Sequence, residues 1–263
     1  MHKSLIAIAL GCLPLLAQNP TPRLSCEHGG FHNDRLITHC EMREQTLGAP
    51  RGAIQINPGM NGGVTVKGWD RGDVLVRAQI QTSAETESEA RSMVPQIRIA
   101  SGAGQIQAEG PNMDRYHNWA VSYEIFVPRQ SDINAKAHNG GIHISDVRGN
   151  IEFYAMNGGV TLQRLGGEVH GRTMNGGLNI ELAGDRWDGR GMDVATTNGG
   201  VNLAVPASYS AHFETSTVNG SVRTDFPITL RGRIDRDVSF DAGGGGATIR
   251  AVTTNGGVKI NRS

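Results

Sequence analysis

Asn139-Gly140-Gly141-Ile142-His143-Ile144, Asn157-Gly158-Gly159-Val160-Thr161-Leu162 and Asn175-Gly176-Gly177-Leu178-Asn179-Ile180 are the stretches whose reading decides the fold. The three Asn-Gly-Gly triplets begin 18 residues apart, and each leads into aliphatic residues that alternate with a variable one. Asn-Gly is a strong short-range signal for a tight turn with positive φ at its central residues. Alternation with a period of two describes a strand with one buried face. Further copies start at Asn61, Asn198 and Asn255, and Asn219-Gly220-Ser221-Val222 is a variant copy. All seven positions, Asn61, Asn139, Asn157, Asn175, Asn198, Asn219 and Asn255, are read as structural turns. The later gaps are 23 and 21 residues, and the 36 residues between Asn219 and Asn255 equal two periods with the midpoint copy missing near residue 237.

Each period holds a second turn and a second strand. Arg148-Gly149-Asn150 precedes Ile151-Glu152-Phe153, and Leu165-Gly166-Gly167 precedes Glu168-Val169-His170. One such unit cannot bury its apolar face alone, whereas stacked units can. The expected fold is therefore all-β: a repeat-built, β-helix-like solenoid with one short helix near the N-terminal part. An antiparallel sandwich of hairpins would use the same turns. The near-constant period favours stacking.

Composition narrows the function classes. The 36 Gly in 263 residues are roughly twice the usual share, as turn-rich repeats require. Lys+Arg and Asp+Glu are equal at 25 each, so the chain lacks the basic footprint of a nucleic-acid binder or the polybasic patch of a membrane-surface protein. The apolar alternation argues against wholesale disorder.

Upstream of the regular copies, Ala53-Ile54-Gln55-Ile56-Asn57, Val64-Thr65-Val66 and Val74-Leu75-Val76 read as strands, with Asp70-Arg71-Gly72-Asp73 as a turn. Residues 83–94 read as a helix capped by Ser83 and stopped by Pro95, with Ala90, Met93 and Val94 on its apolar face. Its expected role is to cover an open end of the stack. Trp119, Tyr123 and Phe126 are assigned to the core or its edge, since large aromatics fill cores, with a sugar-stacking surface as the alternative.

The N-terminus carries an export pattern. Met1-His2-Lys3-Ser4 precedes the apolar run Leu5 to Leu13, and residues 1–17 are read as a signal peptide cleaved after Ala17. The run is too short for a membrane span. Leu10-Gly11-Cys12 resembles a lipoprotein signal, but Ala9 stands where Leu is preferred, so lipid anchoring at Cys12 is disfavoured. Cys26 and Cys40 remain, and an even count in an exported chain reads as a disulfide. His28, His32 and His39 lie nearby, but the cysteines form no CxxC pair and no metal site is assigned. The organisation is then a signal peptide over 1–17, an N-terminal disulfide-containing segment over 18–49 and a β-repeat domain over 50–263. The destination is the periplasm, the outer surface or the extracellular space.

No catalytic set assembles. The chain has no Gly-x-Ser-x-Gly elbow, His-Glu-x-x-His motif or phosphate loop. The glycines at 243–246 read as a turn or bulge. Asp146, Glu152, Glu168, Glu181 and Asp185 are the acids that a polysaccharide-cleaving β-helix would draw on. Exposed strands routinely carry acids, and His143 and His170 fall where neighbouring copies have other residue types. No catalytic, cofactor-binding or metal-ligating residue is assigned.

Asn61-Gly62-Gly63-Val64 followed by Gly68-Trp69-Asp70, Ser122-Tyr123-Glu124 leading to Val127-Pro128, the serial Asn-Gly-Gly turns and Thr253-Thr254-Asn255-Gly256-Gly257-Val258 together resemble the bacterial putative-adhesin domain family. The resemblance spans about Ala53 to Lys259. It implies a β-solenoid-like fold, an envelope or surface location and adhesin-like, non-catalytic binding, and it transfers no catalytic residue. The implied partner is an unknown surface or envelope ligand, glycan or protein, without nucleic acid and without a transmembrane segment in the mature chain. An open stack can also self-associate into a periplasmic scaffold. Asn followed by Gly deamidates readily when flexible, and ordered turns are expected to resist it.

Overall fold

The computed structural model describes residues 24–26, 35–49, 51–102, 104–226 and 236–263. The expectations for the 1–17 signal, Cys12, His28 and His32 fall outside them. In chain order the strands are β1 (Ile37–Leu47), β2 (Ile54–Asn57), β3 (Val64–Trp69), β4 (Val74–Ala84), β5 (Arg98–Gly102), β6 (Gln105–Glu109) and β7 (Asn118–Pro128). There follow β8 (Ile133–Asn139), β9 (Ile142–Ser145), β10 (Arg148–Asn157), β11 (Val160–Gln163), β12 (Gly166–Asn175), β13 (Leu178–Glu181) and β14 (Gly189–Asn198). The last are β15 (Val201–Val205), β16 (Ala211–Asn219), β17 (Val222–Thr224), β18 (Asp237–Ala242), β19 (Thr248–Asn255) and β20 (Val258–Arg262). One helix, α1 (Glu87–Met93), follows β4.

These strands form two ten-stranded sheets. The first runs β1-β4-β7-β3-β9-β11-β13-β15-β20-β17, and the second runs β18-β16-β19-β14-β12-β10-β8-β2-β6-β5. Inward-facing residues line up across strands and close the core between the sheets. Val64, Ile142, Val160, Leu178, Val201 and Val258 make one buried row of the first sheet. Ile54, Ile133, Ile151, Val169, Met192 and Ile249 make the facing row of the second. Phe153 fills space left open by Gly171, where a Cβ would lie 2.4 Å from its ring.

This architecture overturns the expected repeat-built solenoid. The chain makes two large mixed sheets packed as a sandwich. Its middle strands pair in parallel, but β1, β4 and β7 pair antiparallel at one end and β16 with β18 at the other. Spatial order also departs from chain order, because β19 inserts between β14 and β16. The 36-residue gap therefore hides no missing copy. Residue 237 instead opens β18, an antiparallel edge strand. Spacing along the chain records turns, not which strand becomes whose neighbour.

The positive φ expected in the triplet turns occurs at Gly62 (φ 128°) and Gly256 (φ 155°) and not in the other copies. Each Asn ends a long strand of the second sheet or, at Asn61, an isolated bridge, and each triplet carries the chain across to a short strand of the first. No asparagine there has positive φ. Glycine is required for close approach: a Cβ on Gly158 would lie 2.1 Å from the Gly140 carbonyl oxygen, and one on Gly176 would lie 2.2 Å from that of Gly158. The return turns use left-handed backbone at Asp146 (φ 60°) and Arg164 (φ 52°). Gly243, Gly245 and Gly246 take positive φ in the turn from β18 to β19.

The helix is shorter than its sequence signal. β4 continues through Ser83 to Ala84, so Thr86 is the cap, in a capping box with Glu89. The Ser83 hydroxyl instead meets that of Thr38 at 2.9 Å. Ala90 and Met93 are buried where α1 packs on β4 and β1, and Pro95 sits in a 3-10 turn at Val94–Gln96.

Candidate binding surface

The asparagines of the triplets form one continuous ladder. Asn139 donates from Nδ2 to Asn61 Oδ1 at 3.0 Å, Asn157 to Asn139 at 2.9 Å and Asn175 to Asn157 at 2.9 Å. Asn198 donates to Asn175 at 2.8 Å, Asn255 to Asn198 at 2.8 Å and Asn219 to Asn255 at 2.7 Å. Beneath it, the Thr173, Thr196, Thr253 and Thr217 hydroxyls donate to carbonyls of Gly158, Gly176, Gly199 and Gly256. These bonds satisfy the turn backbone, as buried polar groups require. They leave the ladder edge few free donors with which to hold a ligand.

The broad outer face of the second sheet is different. Lys136, Tyr154 and Arg172 stand side by side on β8, β10 and β12. Asn134, Glu152, His170, Asp193, Arg250 and Glu214 form the next row. Lys136, Tyr154 and Arg172 with Glu152, His170, Asp193 and Arg250 floor an open basin of about 800 Å³. Its acids are engaged: Asn134 Nδ2 donates to Glu152 at 3.0 Å, and Arg250 Nη1 pairs with Asp193 at 2.6 Å. Beside the basin, Glu168 holds His170 at 3.1 Å and Arg190 at 2.8 Å, and the His170 hydrogen bond is the first cause of its carboxyl lying below the usual range. Arg172 lies 5.3 Å from the Tyr154 ring centroid, and the Tyr154 hydroxyl donates to Met174 sulfur at 3.1 Å. Lys136 and Arg172 have no carboxylate partner among the described residues.

Of the acids nominated from sequence, Asp146 and Glu181 meet at Arg164, and the others lie apart from them. Asp146 is clamped by Arg164 at 2.8 and 2.7 Å, and Glu181 accepts from Gln163 at 2.7 Å, at the first sheet. Glu152 and Glu168 face outward from the second sheet, and Asp185 is exposed in the loop after β13. Of the aromatics, Trp119 and Tyr123 are buried in the core. The Tyr123 hydroxyl has no hydrogen-bond partner among the described residues, and burial raises its pKa. Phe126 lies on the first sheet's outer face beneath Lys67 and Arg77, which both pair with the buried Glu124. His143 is half-buried on the same face, its pKa lowered first by desolvation and then by Lys67 and Arg164. Cys26 and Cys40 are joined, with Cα atoms 5.7 Å apart, and the Ser25 carbonyl accepts from Gln79 of β4. Among the described residues no group of three or more His, Cys, Asp or Glu is placed to hold a metal. None of the described helices is long and apolar enough to cross a membrane.

The row Lys136, Tyr154, Arg172 escaped the sequence reading, although its members are 18 residues apart, the same spacing as the turns. A second, smaller opening of about 590 Å³ lies between the sheets near Leu47, Ile54, Val74 and Ile106, with Arg51 as its charged lining residue.

Solved structures of similar shape include one described as a putative cell adhesion protein from Clostridium sporogenes ATCC 15579, at 10% identity and a TM-score of 0.47, covering 85% of this chain and 100% of that one. Another is described as a putative adhesin from Bacteroides fragilis NCTC 9343, at 13% identity and a TM-score of 0.42, over 88% of this chain and 98% of that one. A third is described as a putative lipid binding protein from Parabacteroides distasonis ATCC 8503, at 10% identity and a TM-score of 0.33, over 85% and 96% of the two chains. No curated protein matches the chain. The Toastrack DUF4097 family model matches residues 61–261, most of the sequence, and the chain belongs to that family.

Proposed function

We propose that this is an exported envelope or surface protein that binds an acidic polysaccharide without catalysis, across the outer face of β8, β10 and β12. The observation that carries this reading is the row Lys136, Tyr154, Arg172: an aromatic ring between two cations that no carboxylate neutralises among the described residues. A sugar ring packs its C–H face on an aromatic, and its carboxylates or sulfates pair with guanidinium and ammonium groups. A rigid sheet holds such groups at fixed spacing, which lowers the ordering cost of binding. The Cys26–Cys40 disulfide supports export, as does the 1–17 signal pattern. The division into a signal over 1–17, a disulfide segment over 18–49 and a domain over 50–263 belongs to the same proposal.

The test is retention of the purified protein on a polyuronate and on a neutral glucan. Retention on the polyuronate alone is expected, falling by about tenfold in a Lys136→Glu/Arg172→Glu variant that keeps its melting temperature. Equal retention on both polymers, or no effect of charge reversal, overturns the reading. Protease shaving of intact cells tests the address, since release of peptides from 139–222 is expected from a surface protein.

A second reading rests on the opening near Leu47 and Ile106. Its apolar wall and the single cation Arg51 suit an acyl chain with an acidic head. Saturable binding of a fatty acid, lost in Ile106→Glu, would favour it over the polysaccharide.

A further inference from the structure

The seven Asn-Gly pairs are chemically alike but are not held alike. Asparagine turns spontaneously into aspartate or isoaspartate when the next residue's backbone nitrogen attacks the side-chain Cγ. A C–N bond forms, the amide leaves as ammonia, and water opens the resulting succinimide at either carbonyl. The attacking nitrogen must be free of its hydrogen bond, and the side chain must rotate to meet it.

Six pairs are locked against this at three points. The backbone N–H groups of Gly62, Gly140, Gly158, Gly176, Gly199 and Gly256 donate to the main-chain carbonyl of the next asparagine in the ladder at 2.9–3.0 Å. Each of the six asparagine side chains also donates through Nδ2 and accepts at Oδ1. At Asn61, the first rung, the Trp119 carbonyl takes the Nδ2 bond. Asn219 is the last rung, next to the edge strand β17. Its Nδ2 donates to Asn255, but among the described residues nothing donates to its Oδ1 and nothing accepts from the Gly220 N–H. Asn219, Gly220 and Ser221 are all exposed.

We propose that Asn219 is the modification site of this protein, the one Asn-Gly pair that converts to aspartate or isoaspartate in the folded state. The product has no Nδ2 donor, so Asn255 loses its bond from the side chain above and the ladder shortens by one rung. It also puts a negative charge on an otherwise neutral edge of amides. Asn255 does not follow, because the Gly256 N–H stays bonded to the main-chain carbonyl of residue 219.

Trypsin supplies the internal control. Asn198 and Asn219 lie in one peptide, residues 191–223, which contains no internal Lys or Arg. The full chain is held folded at mildly alkaline pH, sampled over time and read by fragment mass spectrometry with isoaspartate detection. A parallel sample is held in urea. In the folded protein Asn219 is expected to convert on the order of tenfold faster than Asn198, the factor given by two fewer hydrogen bonds to break. In urea the two rates are expected to converge. Equal native rates, faster conversion at Asn198, or a native Asn219 that stays intact while its urea control converts would each overturn the assignment.

Discussion

From β8 to β15 every strand meets its neighbours in parallel, with inward aliphatic residues stacked on one another and the register broken only by a shift at Gly167/Glu168 between β12 and β14. From β1 to β7 the long strands pair antiparallel, and side chains of very different kinds meet across them. On the outer face of that second region Glu124, only 4% exposed, binds Lys67 Nζ at 2.8 Å and Arg77 Nη1 at 3.3 Å, and Arg77 reaches on to Glu44 at 2.7 Å. A disulfide and a helix close the same region. The contrast teaches that one fold uses two kinds of stabilisation. The parallel middle depends on how closely backbones approach, so it is intolerant at glycines and permissive on its surface. The antiparallel end depends on particular side chains and is sensitive to their chemistry.

The largest effect should come from the middle. Gly158→Ala places a Cβ against the backbone of Gly140, which cannot swing aside, and should cost about 3 kcal/mol or more in denaturant unfolding. Gly72→Ala, at an end turn with nothing within 4 Å of the new Cβ, should cost less than about 0.5 kcal/mol. Similar losses at both sites would break the distinction. Next, Glu124→Ala strands Lys67 and leaves Arg77 with Glu44 alone, and should cost about 2–3 kcal/mol. Removing the disulfide by Cys26→Ser with Cys40→Ser should cost about 2 kcal/mol, seen as a lower melting temperature than the oxidised parent.

Smaller effects sharpen the picture within the middle. Asn175→Ala deletes one donated and one accepted side-chain bond and should cost about 1 kcal/mol, and Asn219→Ala, which deletes one, about half as much. The least effect concerns pH. His143 has a folded pKa below its ordinary 6.5, so folding favours its neutral form. Its contribution is present above 6.5 and is lost as pH falls toward the folded value, because protonation then costs more in the native state. His143→Asn, borrowing the residue that stands at 179 and 202 in the same row, should flatten that part of the stability profile.

These contrasts also explain what could be read from the residues alone. Alternation at 142–144, 160–162 and 178–180 marks inward faces, because burial acts on each strand locally. The triplets mark chain crossings for the same reason. Strand order is not local. Nothing in the spacing of Asn198, Asn219 and Asn255 says that the last lies between the other two, and nothing in the spacing of Asn61 and Asn139 says that they touch. The candidate surface was half legible. Lys136, Tyr154 and Arg172 share the 18-residue spacing, but only pairing in register shows that they lie side by side while Ala195 ends the row.

The insertion of β19 between β14 and β16 has a consequence for how the molecule comes into being. Synthesis proceeds from the N-terminus, so β16 emerges before the strand that joins it to the rest of its sheet. Until residues 248–262 arrive, β14 and β15 are bare edges and the antiparallel pair of β16 and β18 has nowhere to dock. Residues 248–262 thus act as a keystone, and the sandwich closes only once they have been made. A chain caught midway would present unpaired strand edges, the surfaces most prone to aggregation and most in need of a chaperone.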